Sequence, residues 1–514
     1  MVTEQLVGRV SAGIAGLTCV LLYLEARGVR APRLRRPIAV ALMLASVATY
    51  FHFFELPTRS FYHRWEMYHY FLGSKYADEL GFERLYTCSA VADAEDGEPA
   101  RVAKRRMRDL RTDAIVSAAQ ALAEPEACKR HFSIARWQAF RADARFFRQQ
   151  AGASGWQAMQ VDHGYNPAPA WTLVGRALSS LAPASERVMR LLALIDPVLM
   201  VAALGLLLWA FGGRVAWLAT VFWGTQAPSA FSWTGGAFLR QDWLFLVVLA
   251  VALLRKRYFF GAGVALAWAS LLRVFPVLLF AGPGIVIAAA FWRSRGWLAA
   301  HRSFVLGSVL SAVLSLGATL SVFGARYHTE FAEHITMHAD TPVANHMSLR
   351  SLLSIGQDSL IRTNSEQPNA VDPTARWANA RRAHFARFRW LYWCLAALLS
   401  ALFALTLWRV RSLWMALSLS LLLILLLTDP SSYYFSVWII AAPLVLARPV
   451  LTLPLAGLAA ASQLLAFQIG MMDVRFAALT ALYLAFSVLM VCVFARQRFG
   501  LAGLLLESGE KPEA

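Results

Sequence analysis

Long apolar runs recur from one end of this 514-residue chain to the other, and they limit its possible folds more than any other feature. Many are about 18–22 residues long, which is the length that an α-helix needs to cross a hydrocarbon core of roughly 30 Å. Hydrophobic residues make up 58% of the chain and charged residues only 16%. A soluble enzyme of this size is excluded, and we expect an all-α polytopic membrane protein.

The apolar runs predict about thirteen transmembrane helices. They lie at 6–25, 38–55, 188–210, 215–233, 242–254, 258–273, 275–292, 303–323, 388–408, 411–428, 433–447, 450–470 and 476–495. The pair 258–273 and 275–292 is the least regular, because Arg273 and Pro276 interrupt it. We therefore predict either two spans or a re-entrant hairpin at this point.

Basic residues concentrate in alternate short loops, and this pattern predicts the orientation. One set of loops carries Arg27, Arg30, Arg33, Arg35, Arg36, Arg255, Lys256, Arg257, Arg293, Arg295, Arg302, Arg409, Arg411, Arg496 and Arg498. The opposite short loops hold little beyond Arg240, Arg273 and Arg475. The positive-inside rule places the first set in the cytoplasm, the N-terminus outside and the C-terminus inside. Topology and anionic lipid headgroups then explain much of the net charge of +18 better than nucleic acid does.

The predicted spans divide the chain into six segments. These are an N-terminal transmembrane pair (1–55), an extracytoplasmic loop domain (56–187), a transmembrane core (188–323), a second extracytoplasmic loop (324–387), a C-terminal transmembrane bundle (388–495) and a cytoplasmic tail (496–514). We expect a multi-pass protein of the inner (plasma) membrane. The start, MVTEQLVGR, has no basic n-region, so we expect no cleavable signal peptide.

The first long loop is predicted to form a small domain of its own. A basic run around Arg101–Arg111 is expected to be helical, and a second helix is expected at Ile134–Gln150. Cys88 and Cys128 are the only cysteines of this loop, and both would face an oxidising compartment. A disulfide between them is therefore predicted. The other three cysteines lie in apolar spans and are expected to be small buried hydrophobic residues: Cys19, Cys394 and Cys492.

The stretch richest in titratable and aromatic side chains opens that loop. It is Phe61–Tyr76, with the sequence FYHRWEMYHYFLGSKY. Glu66 and Tyr70 are four residues apart and would share one face of a helix. A carboxylate among aromatic rings at a membrane surface can bind a polar substrate and accept a proton from it. The alternative is an aromatic interface belt with a few snorkelling charges.

Other unusual polar residues fall on the same predicted outer side. They are Arg240, Gln241 and Asp242 at one turn, Arg273 at the end of a span, His334, His338, Asp340, Asn345, Ser348 and Arg350 in the second loop, and Asp429, Tyr433 and Tyr434 at a late turn. Ionisable residues at membrane depth are costly and usually functional. Their shared side predicts a site at the outer surface, whereas a transporter would bind near the midplane. Asp196 is the nearest exception, towards the outer end of its span.

Each of these residues also has a structural explanation. Arg273 could snorkel, and Asp429–Pro430 could simply end a helix. Asn345 and Ser348 look like the N-cap region of a helix SLRSLLSIG. No CxxC, HExxH or Gly-rich phosphate loop is present, so we expect no cofactor, with a divalent metal left open.

The chain resembles the polytopic glycosyltransferases of the C class (GT-C), and within them glycosyltransferase family 87, which uses polyprenyl-phosphate mannose. The family's first-loop pattern DxxxYY…LY is similar to Glu66–Tyr70 and Leu85–Tyr86, and its YPP to Tyr165-Asn166-Pro167. Its GQxN turn resembles Arg240-Gln241-Asp242-Trp243, its AGLLLALAxxLKPxPLLLL resembles GAGVALAWASLLRVFPVLLF, its NQSLxGLL resembles Asn345–Leu353, and its SPxSWxHH resembles Asp429–Tyr434. The ordered set covers roughly 60–480 of this sequence.

The chain departs from the family pattern at four places. Glu66 stands for the usual aspartate and Arg273 for the usual lysine, and the histidine pair of the last turn is missing. Residues 77–164 also form a larger insert than expected. These departures bear on the donor and the acceptor more than on the fold.

The resemblance implies a GT-C-like fold and inverting transfer of a hexose, such as mannose, from a polyprenyl-phosphate donor. The acceptor would be a lipid, glycan or protein at the extracytoplasmic face, and the partners would be the donor, the acceptor and membrane lipids, with no nucleic acid. Glu66 is expected to be the base, with His69 second. Arg273 and then Arg240 would hold the departing phosphate. Substrate contacts are expected from Tyr70, Gln241, Asp242, Asn345, Ser348, Arg350 and Tyr433.

Two other classes of function stay open. A lipid or polyisoprenoid transporter or flippase would need a polar route across the membrane, and the polar residues gather at one side only. A non-catalytic membrane scaffold would use the first-loop insert to bind a partner. A cavity shared by Glu66 and Arg273 would favour the enzyme over both.

Overall fold

The computed structural model describes residues 3–29, 32–54, 61–97, 99–364 and 372–496. Of the residues that the structure describes, 78% are helical, so the expected all-α membrane class is confirmed. Within the described ranges, seven helices are long and apolar enough to cross a membrane: Glu4–Ala26, Glu186–Phe211, Phe275–Ser294, Ala299–Ala339, Ala375–Leu407, Pro449–Gln468 and Met472–Ala495. The total of thirteen spans stays a prediction. Arg30, Arg498 and the tail 497–514 lie outside the described residues.

Fourteen longer helices form the described part of the molecule. In chain order they are α1 (Glu4–Ala26), α2 (Pro32–Tyr50), α3 (Leu85–Glu95), α4 (Ile134–Met159), α5 (Pro169–Ser179), α6 (Ile195–Phe211), α7 (Gly213–Thr225), α8 (Asp242–Arg255), α9 (Phe259–Leu272), α10 (Ala281–Ser294), α11 (Ala299–Ala339), α12 (Ala375–Leu407), α13 (Thr452–Gln468) and α14 (Met472–Ala495).

Shorter helical segments connect them. The α-helical ones are Arg64–Met67, Gly73–Lys75, Ala77–Leu80, Pro99–Ala103, Ala119–Ala123, Glu126–Lys129, Glu186–Ala193, Phe231–Thr234, Leu349–Leu353, Ile361–Asn364, Leu413–Leu419, Leu421–Leu427 and Leu444–Ala447. The 3-10 segments are His52–Phe54, Phe275–Phe280, Gln357–Ser359, Ser432–Ala441 and Pro449–Leu451, and Tyr68–Leu72 is a π-helical turn.

Helix α9 packs against both α8 and α11 in the membrane core. Gly263 of α9 and Gly307 of α11 let these two helices approach closely, since a Cβ at either position would collide with a backbone carbonyl oxygen of the other helix. Small residues at such crossings are typical of packing between membrane helices. Helices α8 and α9 run in opposite directions, so Asp242 and Arg273 lie at one end of the core, and Arg255 and Phe259 at the other.

The first loop folds as a compact domain with one two-stranded sheet. Strand β1 (Arg106–Asp109) pairs antiparallel with β2 (Ala114–Ser117). The helix expected over Arg101–Arg111 is therefore wrong, because only Pro99–Ala103 is helical and the following residues pair with Ile115 and Val116, which are β-branched. The second expected helix is present as α4, and the predicted disulfide joins Cys88 to Cys128.

Ion pairs hold α4 against the end of α3. Asp96 accepts hydrogen bonds from Arg141 at 2.8 Å, from Arg145 at 2.5 Å and from Arg148 at 3.0 Å. Although burial opposes ionisation, the hydrogen bonds from Arg145 and Arg141 lower the pKa of Asp96 to about 2. Three arginines of α4 are thus paired with this one carboxylate inside the domain.

Both long loops lie at the same end of the membrane core. The backbone N–H of His63 donates a 2.8 Å hydrogen bond to the carbonyl of Gly236, in the turn before α8. The hydroxyl of Thr341, in the second loop, donates to Asp113 of the first loop at 3.0 Å. The outer turns and both loops therefore meet on one face, and the assignment of that face to the outside of the cell stays a prediction.

Candidate functional site

An ion pair between Glu66 and Arg240 joins the first loop to the turn before α8. Nε of Arg240 lies 3.0 Å from Oε2 of Glu66, and their side chains are only 4% and 16% exposed. Arg240 also donates a hydrogen bond to the hydroxyl of Tyr70. Its guanidinium carbon lies 4.5 Å from the ring centre of Tyr70 and 5.0 Å from that of Tyr433. The result is a buried cation enclosed by two aromatic faces and one carboxylate.

The turn that carries Arg240 is fixed by Asp196 at the start of α6. The carboxylate of Asp196 accepts hydrogen bonds from the backbone N–H of Arg240 at 2.9 and 3.0 Å, and from that of Gln241 at 3.1 Å. Gly236, in the same turn, has a φ of +73°, and a Cβ there would collide with the carbonyl oxygen of Phe61. Only glycine fits this approach of the first loop to the turn.

Arg273 lies next to the same turn, directly after α9. Its Nη1 donates to the carbonyl of Leu272 at 2.8 Å, and its Nη2 lies 3.5 Å from the carbonyl oxygen of Leu239. Its guanidinium carbon is 5.7 Å from the ring centre of Trp171, whose indole N–H also donates to Leu239. Nε of Arg273 is buried and has no hydrogen-bond partner among the described residues. One donor of this arginine is therefore left for a bound group.

Arg273 forms part of the wall of a cavity of about 400 Å³. The other polar lining residues are Asn166, His338, His346, Arg350, Tyr392, Thr428, Asp429, Ser431, Tyr433 and Tyr434, and the apolar ones include Val274, Phe275, Phe331, Ile335 and Leu427. Glu66 and Arg240 are not among its lining residues. Tyr433, whose ring contacts Arg240, lines the cavity instead. Arg273 therefore lines this cavity and Glu66 does not, so the single cavity expected for these two residues is not present.

The second loop packs against the late turn that supplies Asp429 to this cavity. His346 and Ser431 form a β-bridge, in which Met347 N–H donates to the carbonyl of Pro430 and Ser432 N–H to that of Asn345, both at 2.9 Å. Through this bridge the loop packs against the late turn that begins with Asp429.

Asp429 is held by two side chains of the second loop. Ser348 donates to Oδ1 of Asp429 at 2.5 Å, and Nδ1 of His346 lies 3.2 Å from Oδ2. Although burial opposes ionisation, His346 and Ser348 hold the pKa of Asp429 below its ordinary value. Ser348 also caps the helix Leu349–Leu353, so the N-cap interpretation of this serine is confirmed.

Several predicted site residues have clear structural roles. Asn345 contributes its backbone carbonyl to the bridge, and Asp242 accepts a 2.8 Å hydrogen bond from Trp243 N–H at the start of α8. Arg350 lines the cavity and donates to the carbonyl of Ala339 at 2.9 Å. The side chain of Gln241 is buried, and its oxygen has no partner in the described part of the chain.

His69 is not part of the cavity lining, although it was expected to be the second base. Its Nδ1 lies 2.8 Å from the carbonyl oxygen of Trp65, and its Nε2 lies 2.7 Å from the hydroxyl of Tyr86. Both ring nitrogens are therefore occupied inside the loop domain. The expected base role does not suit this position, because the proton acceptor must be free to reach the substrate.

Sequence reasoning did not assign site roles to several lining residues. Asn166 accepts a long 3.4 Å hydrogen bond from Tyr70, and Tyr434 packs against Tyr433 with ring centres 4.6 Å apart. Asp429 and Tyr434 lie in the same turn as Tyr433. Their position next to that predicted site residue was the sequence signal that could have identified them. Burial raises the pKa of Tyr70 well above its ordinary value, so its hydroxyl stays protonated. Among the described residues, no group of three or more possible metal ligands is present.

No family model, curated protein or solved structure matches this chain. The class of protein is therefore defined by the fold and the site alone. It is a helical membrane protein with a buried arginine–carboxylate–tyrosine cluster beside a polar cavity, at the end of the core where two large loops meet.

Proposed function

We propose that the chain is a membrane glycosyltransferase that moves a hexose, mannose first among them, from a polyprenyl-phosphate donor to a hydroxyl of a lipid, glycan or protein. The observation that carries the proposal is the buried Arg273 with an unpartnered Nε in the wall of the 400 Å³ cavity. A second buried arginine, Arg240, lies beside it. The ordered sequence motifs point to the same chemistry.

The donor would place its phosphate against Arg273. Negative charge builds on the departing phosphate in the transition state, and a cation already fixed by carbonyl contacts stabilises that charge without reorganisation. The apolar side of the cavity suits the first isoprene units, since it is formed by Val274, Phe275, Phe331 and Ile335. Phosphate and isoprenoid would thus meet different walls of one cavity.

The acceptor hydroxyl needs a base, and Glu66 is our first candidate. Its carboxylate lies 3.0 Å from Arg240, and Tyr433 would have to shift for it to reach the cavity. Asp429 is the alternative, because it already lines the cavity and is held ionised by His346 and Ser348. The experiment below separates the two.

The transporter alternative has weaker support. A flippase needs a polar route between the two ends of the core, but α8 is apolar from Trp243 to Leu254 and α9 carries only Ser270 as a hydroxyl within Phe259–Leu272. Helices α8 and α9 therefore offer almost no polar surface along their length. The scaffold alternative predicts no transfer at all.

A transfer assay with the purified full chain in liposomes tests the proposal. A panel of radiolabelled polyprenyl-phosphate sugars is offered with membrane lipids and glycans as acceptors. If Glu66 is the base, Glu66→Gln lowers the rate by about 10²–10⁴-fold while donor binding changes much less. If Asp429 is the base, Asp429→Asn shows that loss and Glu66→Gln does not.

The matched control is Arg326→Ala, which removes an exposed cation of a surface pair with Glu330. Its transfer rate should equal that of the unmodified chain. Glu66→Gln leaves Arg240 without its carboxylate, so thermal unfolding of each variant is measured to separate lost catalysis from lost folding. Absence of transfer from every donor in the panel would refute the proposal.

A further inference from the structure

A second cavity, of about 720 Å³, lies at the opposite end of the membrane core. It is enclosed by the C-terminal ends of α8 and α10, the N-terminal ends of α9 and α11, and the start of the helix Leu413–Leu419. Its lining contains five permanent cations: Arg255, Lys256, Arg257, Arg293 and Arg411. No aspartate or glutamate is among the described residues that line it.

The charge of this basic cavity is largely uncompensated. Within the described ranges, Lys256, Arg257, Arg293 and Arg411 form no ion pair with a carboxylate, although Arg293 donates to the carbonyl of Trp408 at 2.8 Å. At the same end of the core Glu25 pairs with other arginines: its carboxylate lies 2.9 Å from the guanidinium of Arg35 and also contacts that of Arg214. Glu25 is not among the residues that line the basic cavity.

Helix termini of both kinds surround the cavity, and the negative C-terminal ends of α8 and α10 offset the positive N-terminal ends of α9 and α11. The N-terminal turns of α9 and α11 contribute Phe259, Ala300 and His301 to the lining. The first N–H groups of a helix have no partner within it and carry a partial positive charge. The side-chain cations therefore make this concave surface electropositive, and such a surface suits a phosphate.

The surroundings of the basic cavity are those of a membrane interface. Leu254, Val286 and Leu298 give it apolar walls. Exposed aromatic side chains lie on the same helix ends: Trp209, Tyr258, Phe260, Trp292 and Trp297. Aromatic belts of this kind mark the level of the lipid headgroups. A ligand of this cavity would thus meet cations at one side and lipid chains at the other.

We propose that the basic cavity binds the phosphate headgroup of an anionic lipid from the leaflet at that end of the core. A soluble phosphate compound shares the phosphate chemistry, but the apolar walls and the aromatic belt favour a lipid. The 14 residues of α8 separate this cavity from the Arg273 cavity by about 20 Å, so the two sites are distinct and neither depends on the other's function.

Lipid binding to the full chain in neutral detergent, counted by native mass spectrometry, tests the proposal. Phosphatidic acid is the probe, phosphatidylcholine is the zwitterionic comparison with zero net charge, and glycerol 3-phosphate is the soluble competitor. We expect saturable binding of phosphatidic acid. The double variant Arg257→Gln/Arg411→Gln should bind phosphatidic acid about 30-fold more weakly, because each cation near an anionic lipid raises the affinity roughly fivefold.

The matched control removes the same charge from the same end but outside the cavity, as Arg302→Gln/Arg409→Gln. Its phosphatidic acid binding should stay within about twofold of that of the unmodified chain. Equal weakening by both double variants would overturn the proposal in favour of general surface attraction. Displacement of the lipid by glycerol 3-phosphate at matched concentration would overturn the lipid as the ligand.

Ala290→Trp gives a second variant that keeps every cation. Ala290 lines the cavity, so an indole at this position fills part of the space. We expect phosphatidic acid binding to fall with an unchanged thermal unfolding midpoint. Unchanged lipid binding in this variant would mean that the cavity itself is not the site.

Discussion

Arg273 stands where the resembled family usually has a lysine, and its contacts explain what an arginine adds. The planar guanidinium reaches the carbonyl oxygens of Leu272 and Leu239 and still leaves Nε for another group. The single ammonium of a lysine cannot satisfy these directions together. The position is therefore preorganised by the backbone around it, before any substrate binds.

The first prediction concerns this residue. Arg273→Lys should keep partial transfer activity, because the charge remains while the fork geometry is lost. Arg273→Ala should lose nearly all activity, since no cation then faces the phosphate. Initial rates and donor affinities of both variants measure this. Wild-type rates in Arg273→Ala would show that the phosphate is held elsewhere.

Asp196 is the second residue whose role can be measured. Its carboxylate accepts three backbone hydrogen-bond contacts from Arg240 and Gln241. Asp196→Ala leaves these buried N–H groups without an acceptor, at a cost of about 1–3 kcal/mol for each group. The thermal unfolding midpoint should fall clearly, whereas the exposed control Glu333→Ala should leave it unchanged. Equal midpoints would mean that water replaces the carboxylate.

The sequence allowed some residues of the site to be predicted better than others. The spacing of Glu66 and Tyr70 indicated a shared face, and both side chains do contact Arg240. The position of His69 could not be predicted, because Tyr86, from a different helix, decides where its ring lies. Local spacing determines neighbours along a helix, whereas partners from distant segments depend on the tertiary fold.

At the scale of elements, the first loop illustrates the same limit. A basic run such as Arg101–Arg111 has good helix formers, but pairing with Ile115 and Val116 makes part of it a strand. The disulfide was easier to predict, since the loop holds only two cysteines. Few possible partners make a pairing predictable, and many possible partners do not.

The ion pairs of this domain predict its response to acid. The pKa of Asp96 is about 2 in the folded chain and below its ordinary value of 3.8. The stability that Asp96 contributes is therefore complete above pH 3.8 and is lost as the pH falls towards 2. Pepsin cleavage of the first loop in the full chain, followed between pH 4 and pH 2, should rise over this window.

Asp96→Asn provides the control for the acid prediction. This variant has no carboxylate to titrate, so pepsin cleavage should depend less steeply on pH, although the domain is less stable at neutral pH. An identical pH profile for the variant and the unmodified chain would assign the acid sensitivity to another group.

At the scale of the whole molecule, the orientation is the main quantity to test. Reporter fusions inserted after Gly97, in the first loop, should be active outside the cytoplasm, and C-terminal fusions after Ala514 should be active inside it. Cysteine labelling from either side of sealed vesicles provides an independent measurement. A cytoplasmic first loop would contradict both the orientation and the proposed position of the site.

The number of spans was harder to predict than the class of fold. Within the described residues, seven helices meet the length and hydropathy of a span, while α7, α8 and α9 have only 13, 14 and 14 residues. The apolar run 215–233 extends beyond the end of α7 at Thr225, whereas the runs 242–254 and 258–273 are themselves short. The chain leaves the helical conformation at Gln226, inside the predicted run, and hydropathy cannot detect this.

The bridge between His346 and Ser431 also has a consequence for biosynthesis. During translation Glu66 emerges first, and Arg240 and Arg273 follow much later, but the turn that supplies Asp429 and Tyr433 is made only after more than four-fifths of the chain. Until then the second loop has no strand partner and Arg240 lacks one of its aromatic faces. A chain released before residue 429 contains both cysteines of the disulfide but lacks Tyr433, so one face of Arg240 stays uncovered. Such products are the ones that a membrane protease is expected to remove.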